Sequence, residues 1–255
     1  MASGPDTSDP KLSNLSGQLR GTDDVPANID SAGMLRLDNS LVDVLHSACT
    51  APDPTALGVA LKRFEQEQIP NDVTIDAYIP EVSRRLGERW CEDRAGFSEV
   101  TIGVARLQRL VRELTLARKP EPFNPNSPGV AIVTVEEEYH TLGALILSDQ
   151  LQRHGISARL IVAAHAGSID QGGFDAIFIS MSHVETLENV RQFVNDLRKK
   201  KGWQAPIVVG GPILEVDDNA GKTTGADFAT SDLFEALKLC RLKTSPTAQI
   251  LRIGN

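Results

Sequence analysis

Glu138-Tyr139-His140-Thr141-Leu142-Gly143 places one imidazole between a carboxylate two residues before it and a glycine three residues after it. An imidazole nitrogen is a good ligand for a transition metal. A carboxylate that holds the other ring nitrogen fixes the tautomer and makes the ligating atom more basic. Histidine is also the side chain whose charge is most easily tuned near neutral pH. Glu136 and Glu137 offer alternative acceptors for the same ring. Two further groups of small and polar residues follow, Ser180-Met181-Ser182-His183-Val184 and Gly210-Gly211-Pro212. Between Gly143 and Ser180 there are 36 intervening residues, and between Val184 and Gly210 there are 25.

These three groups need a scaffold that brings them together, and the apolar pattern supplies one. Pro128-Gly129-Val130-Ala131-Ile132-Val133-Thr134-Val135 reads as a buried parallel strand, and Leu145, Ile146 and Leu151 open an amphipathic helix after it. Strands are expected at 129–135, 157–163, 175–181, 206–210 and 226–230, with helices at about 140–154, 185–201, 214–220 and 231–242. Ala164 to Gly173 is too short and too rich in glycine for a long helix and reads as a loop. Alternating strands and helices define an α/β, doubly wound parallel sheet of five strands. Ligands bind at the carboxyl ends of such strands, where all three groups fall.

Four helical segments precede the sheet. They span roughly Leu35 to Cys49, Asp53-Pro54 to Gln68, Thr74 to Cys91, and a fourth that starts near Ser98. Asp53 followed by Pro54 reads as an N-cap with proline at the first helical position. Pro80 predicts a kink or break in the third. In the fourth, Val100, Val104, Leu107, Val111 and Leu114 recur at steps of 4, 3, 4 and 3, the stripe of a bundle helix. The division expected is a disordered polar tail over 1–33, a four-helix bundle over 34–117, a Pro-rich linker over 118–128, the α/β domain over 129–243 and a C-terminal tail over 244–255.

The pattern resembles the cobalamin-binding domain, whose signature is DxHxxG, then SxL or SxV, then GG. The resemblance covers about residues 34 to 240 and implies a Rossmann-like (flavodoxin-like) sheet. It assigns His140 as the lower cobalt ligand, in place of the corrinoid's own base. It makes Glu138 the ring's partner, Gly143 the passage for the nucleotide tail, and Ser180, Ser182 and Val184 the serine turn that bonds the detached base. Gly210 and Gly211 would leave room for the tail. Glu138 departs from the family's Asp by one methylene. The bundle is similar to the cap that covers the upper corrin face in such modules, in which a Trp precedes a Glu-His pair. Trp90 and Glu99 fit it, eight residues intervening, while Val100 stands where the cap histidine would be.

Within that family the chain most resembles the AerR/PpaA-type antirepressors of photosynthesis genes in purple bacteria. The resemblance implies a non-enzymatic, light- or redox-responsive regulator that holds adenosyl- or hydroxocobalamin and contacts a DNA-binding repressor. Two alternatives stay open on the same fold. One is a corrinoid methyl carrier of a methyltransferase system. The other is a haem-binding redox sensor, since haem iron also takes histidine.

Bulk properties agree with a protein partner. A net charge of −8 argues against wrapping bare nucleic acid, which needs a positive field. Arg198-Lys199-Lys200-Lys201 reads as the solvated end of a helix. Met1-Ala2-Ser3-Gly4-Pro5-Asp6 lacks the basic and apolar regions of a signal peptide, and no apolar run reaches membrane-spanning length. Cys49, Cys91 and Cys240 follow no metal-binding spacing, and Cys240 reads as core. A cytoplasmic protein is expected. His183 is expected to hydrogen-bond, and His46, His154 and His165 to pack or face solvent, although His165 sits in a strand-end loop.

Overall fold

The computed structural model describes residues 36–118, 124–169 and 173–244. The expected N-terminal tail, residues 119–123 of the Pro-rich stretch and residues 245–255 of the C-terminal tail lie outside them.

The bundle is built from α1 (Asn39–Thr50), α2 (Ala56–Gln66), a short α3 (Asn71–Val73), a π-helical turn (Thr74–Tyr78), α4 (Ile79–Cys91) and α5 (Phe97–Ala117). Leu41, Leu45, Ile79, Leu86, Leu107 and Leu110 are among its buried core residues. Asp38 caps α1 by accepting from Ser40 N–H at 2.8 Å. The expected cap at Asp53 is two residues early: Thr55 is the N-cap of α2, and Asp53 instead accepts from Thr55 N–H at 2.8 Å in an Asx turn. The interruption expected at Pro80 is present as the π turn that closely precedes it. Pro80 itself sits in the first turn of α4, just after the π turn, where a missing N–H is tolerated.

Five strands follow: β1 (Gly129–Val135), β2 (Ser157–Ala164), β3 (Ala176–Ser180), β4 (Ile207–Gly210) and β5 (Phe228–Ala229). They pair in parallel in the order β2-β1-β3-β4-β5. β1 and β3 are buried nearly throughout, as both-face-covered parallel strands must be. On one face α6 (Leu142–Arg153) and α10 (Leu233–Leu239) pack over Val130, Ile132 and Phe178. On the other, α7 (Leu187–Arg198) packs over Val133 and Ile179, together with α8 (Ile213–Val216) and α9 (Ala220–Thr224). The single helix expected at 214–220 is thus two short ones, because Asp217 leaves the helical region at φ −137°. Arg198 and Lys200 are not simply solvated: Arg198 bonds Asp227 at 2.8 Å, and Lys200 donates to the Ile169 carbonyl. No helix among the described residues is long and apolar enough to cross a membrane.

Bundle and sheet share a core. Leu142 and Ile146 of α6 belong to the same apolar cluster as the bundle residues. Behind it lies a charged seam. Asp149 of α6, with a side chain 1% exposed, accepts from Thr115 Oγ1 at 2.7 Å, Arg118 Nη1 at 2.9 Å and Arg153 Nε at 3.0 Å. Arg118 also reaches Asp72 at 2.6 Å, and Arg153 reaches Asp76 of the π turn. Arg118, read from composition as the start of a linker, is therefore fixed in an ionic network.

These contacts also set direction. Gln108 bonds Thr141 and Thr115 bonds Asp149, so α5 and α6 run parallel. The first three turns of α5 therefore extend beyond the start of α6, on the side of the strand carboxyl ends. Glu99 stands about 13 Å above the level of Gln108 at the helical rise per residue.

Candidate functional site

Order β2-β1-β3 means that the chain turns away in opposite directions on leaving β1 and β3, which opens a crevice at their carboxyl ends. A β-turn closes on Glu138 N–H to Val135 carbonyl at 3.2 Å, with Glu137 in the left-handed region at φ 71°. That turn drives Glu138 inward while Tyr139 stays 82% exposed. Glu138 is buried, and its Oε1 accepts from His140 N–H at 3.0 Å and lies 3.0 Å from His140 Nδ1. Its Oε2 accepts from Ser182 N–H at 2.8 Å, across the crevice from the loop after β3. Burial pushes the Glu138 carboxyl up, but the bonds from the His140 ring, the His140 N–H and the Ser182 N–H outweigh it and hold the group below the usual range. The bond to Glu138 raises His140 against the opposing effect of burial.

Glu136 and Glu137 are exposed and do not hold the ring; Glu137 instead accepts from Asn189 Nδ2 at 3.1 Å. The His140 side chain is 57% exposed, and its contacts run through Nδ1. Nε2 is thus the nitrogen left for a ligand. His183 does hydrogen-bond, and to His140 itself: its Nε2 lies 3.0 Å from His140 Nδ1, with ring centroids 4.5 Å apart. Nothing in the sequence paired these two histidines, although each directly follows a strand on one side of the switch point.

Other predicted residues fall into three sets. Gly143 lies in the first turn of α6, and a Cβ built there meets nothing within 4 Å. Ser180 ends β3 opposite Gly210, and Val184 is 44% exposed at the start of a 3₁₀ turn. Gly210 and Gly211 depart from the expected free slot: their added Cβ atoms would strike the Thr230 carbonyl at 2.7 Å and the Met181 carbonyl at 2.5 Å. With Gly211 at φ 104°, both glycines serve close packing of the strand exits. Trp90 and Glu99 are not joined to His140. Trp90 is 50% exposed near the end of α4, and Glu99 lies 3.9 Å from Arg89. Phe97 and Ile102 of α5 are also exposed, at 72% and 49%, on the part of the bundle that extends beyond the start of α6.

Of the remaining histidines and cysteines, Cys91 and His165 are exposed and the others are at least partly buried. His154 packs edge-on against Phe234 at 5.0 Å, and His165 bonds Ser168 at 3.0 Å within its own turn. Burial lifts the Cys49 thiol to about 12 and the Cys240 thiol to about 11. Three buried polar atoms lack a hydrogen-bond partner among the described residues: His46 Nε2, Arg89 Nε and Thr134 Oγ1. Thr134 alternates with Ile132 on β1 and so shares the face covered by α6, close to the strand's carboxyl end.

A doubly wound sheet with a carboxylate-held imidazole at its switch point defines a ligand-binding domain. Residues 128–238 match the family model of the B12 binding domain, and the chain belongs to that family. An uncharacterized 20.5 kDa protein of the bchF-crtJ intergenic region of Rhodobacter capsulatus is 33% identical over 175 residues, 67% of this chain and 91% of that protein. Among solved structures, the monomethylamine corrinoid protein of Methanosarcina barkeri aligns over 78% of this chain and 94% of its own length. That likeness, at 15% identity and a TM-score of 0.59, is one of fold.

The residues present fit cobalamin. Nε2 of His140 faces out, Gly143 leaves open space at the helix start, and Thr134 Oγ1 offers an unused polar atom on the adjoining face.

Proposed function

We propose that this chain is a non-enzymatic, light- or redox-responsive regulator that holds cobalamin through His140 and acts by contacting a DNA-binding repressor. The observation that carries the reading is the Glu138–His140 pair at the β1/β3 switch point. Similarity to a protein of the bchF-crtJ region supports a role in photosynthesis-gene control. A net charge of −8 favours a protein partner over direct contact with DNA.

In this reading, bound cobalamin would supply a cobalt centre that responds to light or to a change of oxidation state. The chain does the rest. Glu138 keeps the proton on Nδ1 and aims Nε2 outward, and Ser182 N–H keeps Glu138 in place. Ser180 and Ser182 supply hydroxyls along the crevice, and Gly143 admits the nucleotide tail beside α6. Trp90, Phe97 and Ile102, exposed on the overhang, would offer apolar contacts to the bound group. The partner must bind the two ligand states with different affinity for a signal to pass.

The test is an absorption spectrum of protein purified with adenosylcobalamin or hydroxocobalamin, in the dark and after illumination, for wild type and His140→Ala. The wild type should show a histidine-ligated cobalt spectrum that His140→Ala lacks, and illumination should change repressor affinity. Likeness of fold to a corrinoid protein favours a second reading, a methyl carrier. It wins if methylcobalamin on the protein is demethylated by a methyltransferase partner while illumination leaves repressor affinity unchanged. A haem Soret band in place of cobalt absorption would defeat both.

A further inference from the structure

We propose that Glu138, His140 and His183 form a binding site for a divalent transition-metal ion of the zinc class in the cobalamin-free protein. Their three ligand atoms lie within 4.8 Å of one another. His140 Nδ1 is 3.0 Å from Glu138 Oε1 and 3.0 Å from His183 Nε2. Zinc bonds to nitrogen and oxygen of about 2.0–2.2 Å put neighbouring ligand atoms roughly 3–3.5 Å apart, close to the two separations that involve His140 Nδ1.

A hydrogen bond serves this group less well than an ion does. A proton on His140 Nδ1 cannot lie in line with both the carboxylate oxygen and His183 Nε2, whichever tautomer His183 adopts. An ion in place of that proton meets two imidazole nitrogens and a carboxylate at once, a donor set that suits zinc and its neighbours. The carboxylate is already held by two backbone N–H groups, from His140 and Ser182. Such outer contacts lower the cost of assembling a metal site. Both histidines are exposed, so an ion can enter and water can complete its coordination.

The site also bears on cobalamin, and this part alone rests on the function proposed above. With an ion on Nδ1, the ring of His140 carries its proton on Nε2. That atom then has no lone pair for cobalt. The ion and histidine-ligated cobalamin therefore exclude each other, and His183 holds the balance between them.

The experiment is calorimetric titration of metal-stripped, untagged, cobalamin-free full-length protein with zinc chloride, for wild type, His183→Ala and His183→Gln. Wild type should bind one zinc ion per chain, and both variants should bind at least ten-fold more weakly while their circular dichroism stays native. Absence of one-to-one binding in wild type, or unchanged affinity in the folded variants, overturns the site. X-ray absorption of the zinc complex should show nitrogen and oxygen ligands, and a sulfur ligand would overturn it too. Hydroxocobalamin added to the zinc-loaded protein should release the ion to a chromogenic chelator. Zinc retained beside histidine-ligated cobalamin sinks the exclusion. Zinc bound by a protein that takes up no cobalamin leaves the metal site standing and removes the cobalamin reading.

Discussion

Gln108 of α5 donates its side-chain amide to Thr141 Oγ1 at 3.0 Å, one residue beyond His140. The bond ties the helical bundle to the loop that carries the candidate ligand. Gln108→Ala should cost about 1 kcal/mol of stability, the usual net worth of one such bond. Its sharper signature is local. Amide hydrogen exchange should quicken over residues 136–141 and stay unchanged in the last turns of α5; equal change in both would mean that the bond does not govern the loop.

Glu138 makes three contacts with two oxygens, and each needs an acceptor. In Glu138→Gln one carboxamide oxygen remains while the NH₂ group confronts an N–H donor. Cobalamin affinity should fall 10–100-fold, the range found when partners of metal-binding histidines are changed. Titration followed by absorbance measures it, and an unchanged affinity would show that the carboxylate does not orient the ring.

Gly143 and Gly211 should separate binding from stability. Gly143→Ala places a methyl group in open space within the first turn of α6, so it should leave stability unchanged or raise it by up to about 1 kcal/mol. The same methyl should weaken cobalamin binding. Gly211→Ala drives a Cβ to 2.5 Å from the Met181 carbonyl at φ 104°, and should lower the melting temperature with or without cobalamin. Thermal melts of both variants, with and without the ligand, decide the matter.

Asp149 holds two arginines and a threonine from within the interface. Asp149→Ala removes one acceptor from each arginine while Asp72 and Asp76 still pair them, so the cost should be about 1.5–3 kcal/mol, the worth of a hydrogen bond to a charged group. Denaturant unfolding should then show the loss, along with a separated transition for the bundle. A single transition with unchanged midpoint would mean that the seam contributes nothing.

Acid should find the bundle through Glu81. Hydrogen bonds from Arg84 hold its carboxyl at about 2 against the effect of burial, with Arg85 adding to them, where the ordinary value is 4.5. A depressed carboxyl stabilises the fold above its unfolded value, and that contribution is lost as pH falls from 4.5 toward about 2. Because Arg84 is 55% exposed, screening reduces the effect to about 1 kcal/mol. Glu81→Gln should remove this part of the acid sensitivity, leaving the pH 7 to pH 3 difference in midpoint smaller than in wild type.

The sheet was legible because its strands are apolar on both faces and its helices repeat at their own period; β1 spans the residues expected of it. The candidate histidine was legible because carboxylate, imidazole and glycine lie within one short run. Which of three adjacent glutamates holds it was not, since that depends on the left-handed turn at Glu137. The His140–His183 contact spans 43 residues, and the Arg153–Asp76 pair spans 77. No local pattern encodes such separations. Pro80 marked the interruption but not its form, because a π turn is invisible in residue type.

The parallel run of α5 and α6 divides one helix into two jobs. Its lower half is bonded to Thr141 and to Asp149 of α6, while Phe97 and Ile102 on its upper half, with Trp90 at the end of α4 beside it, are exposed. Substitutions there are cheap for the fold. That end can change in sequence without disturbing the histidine loop beneath it.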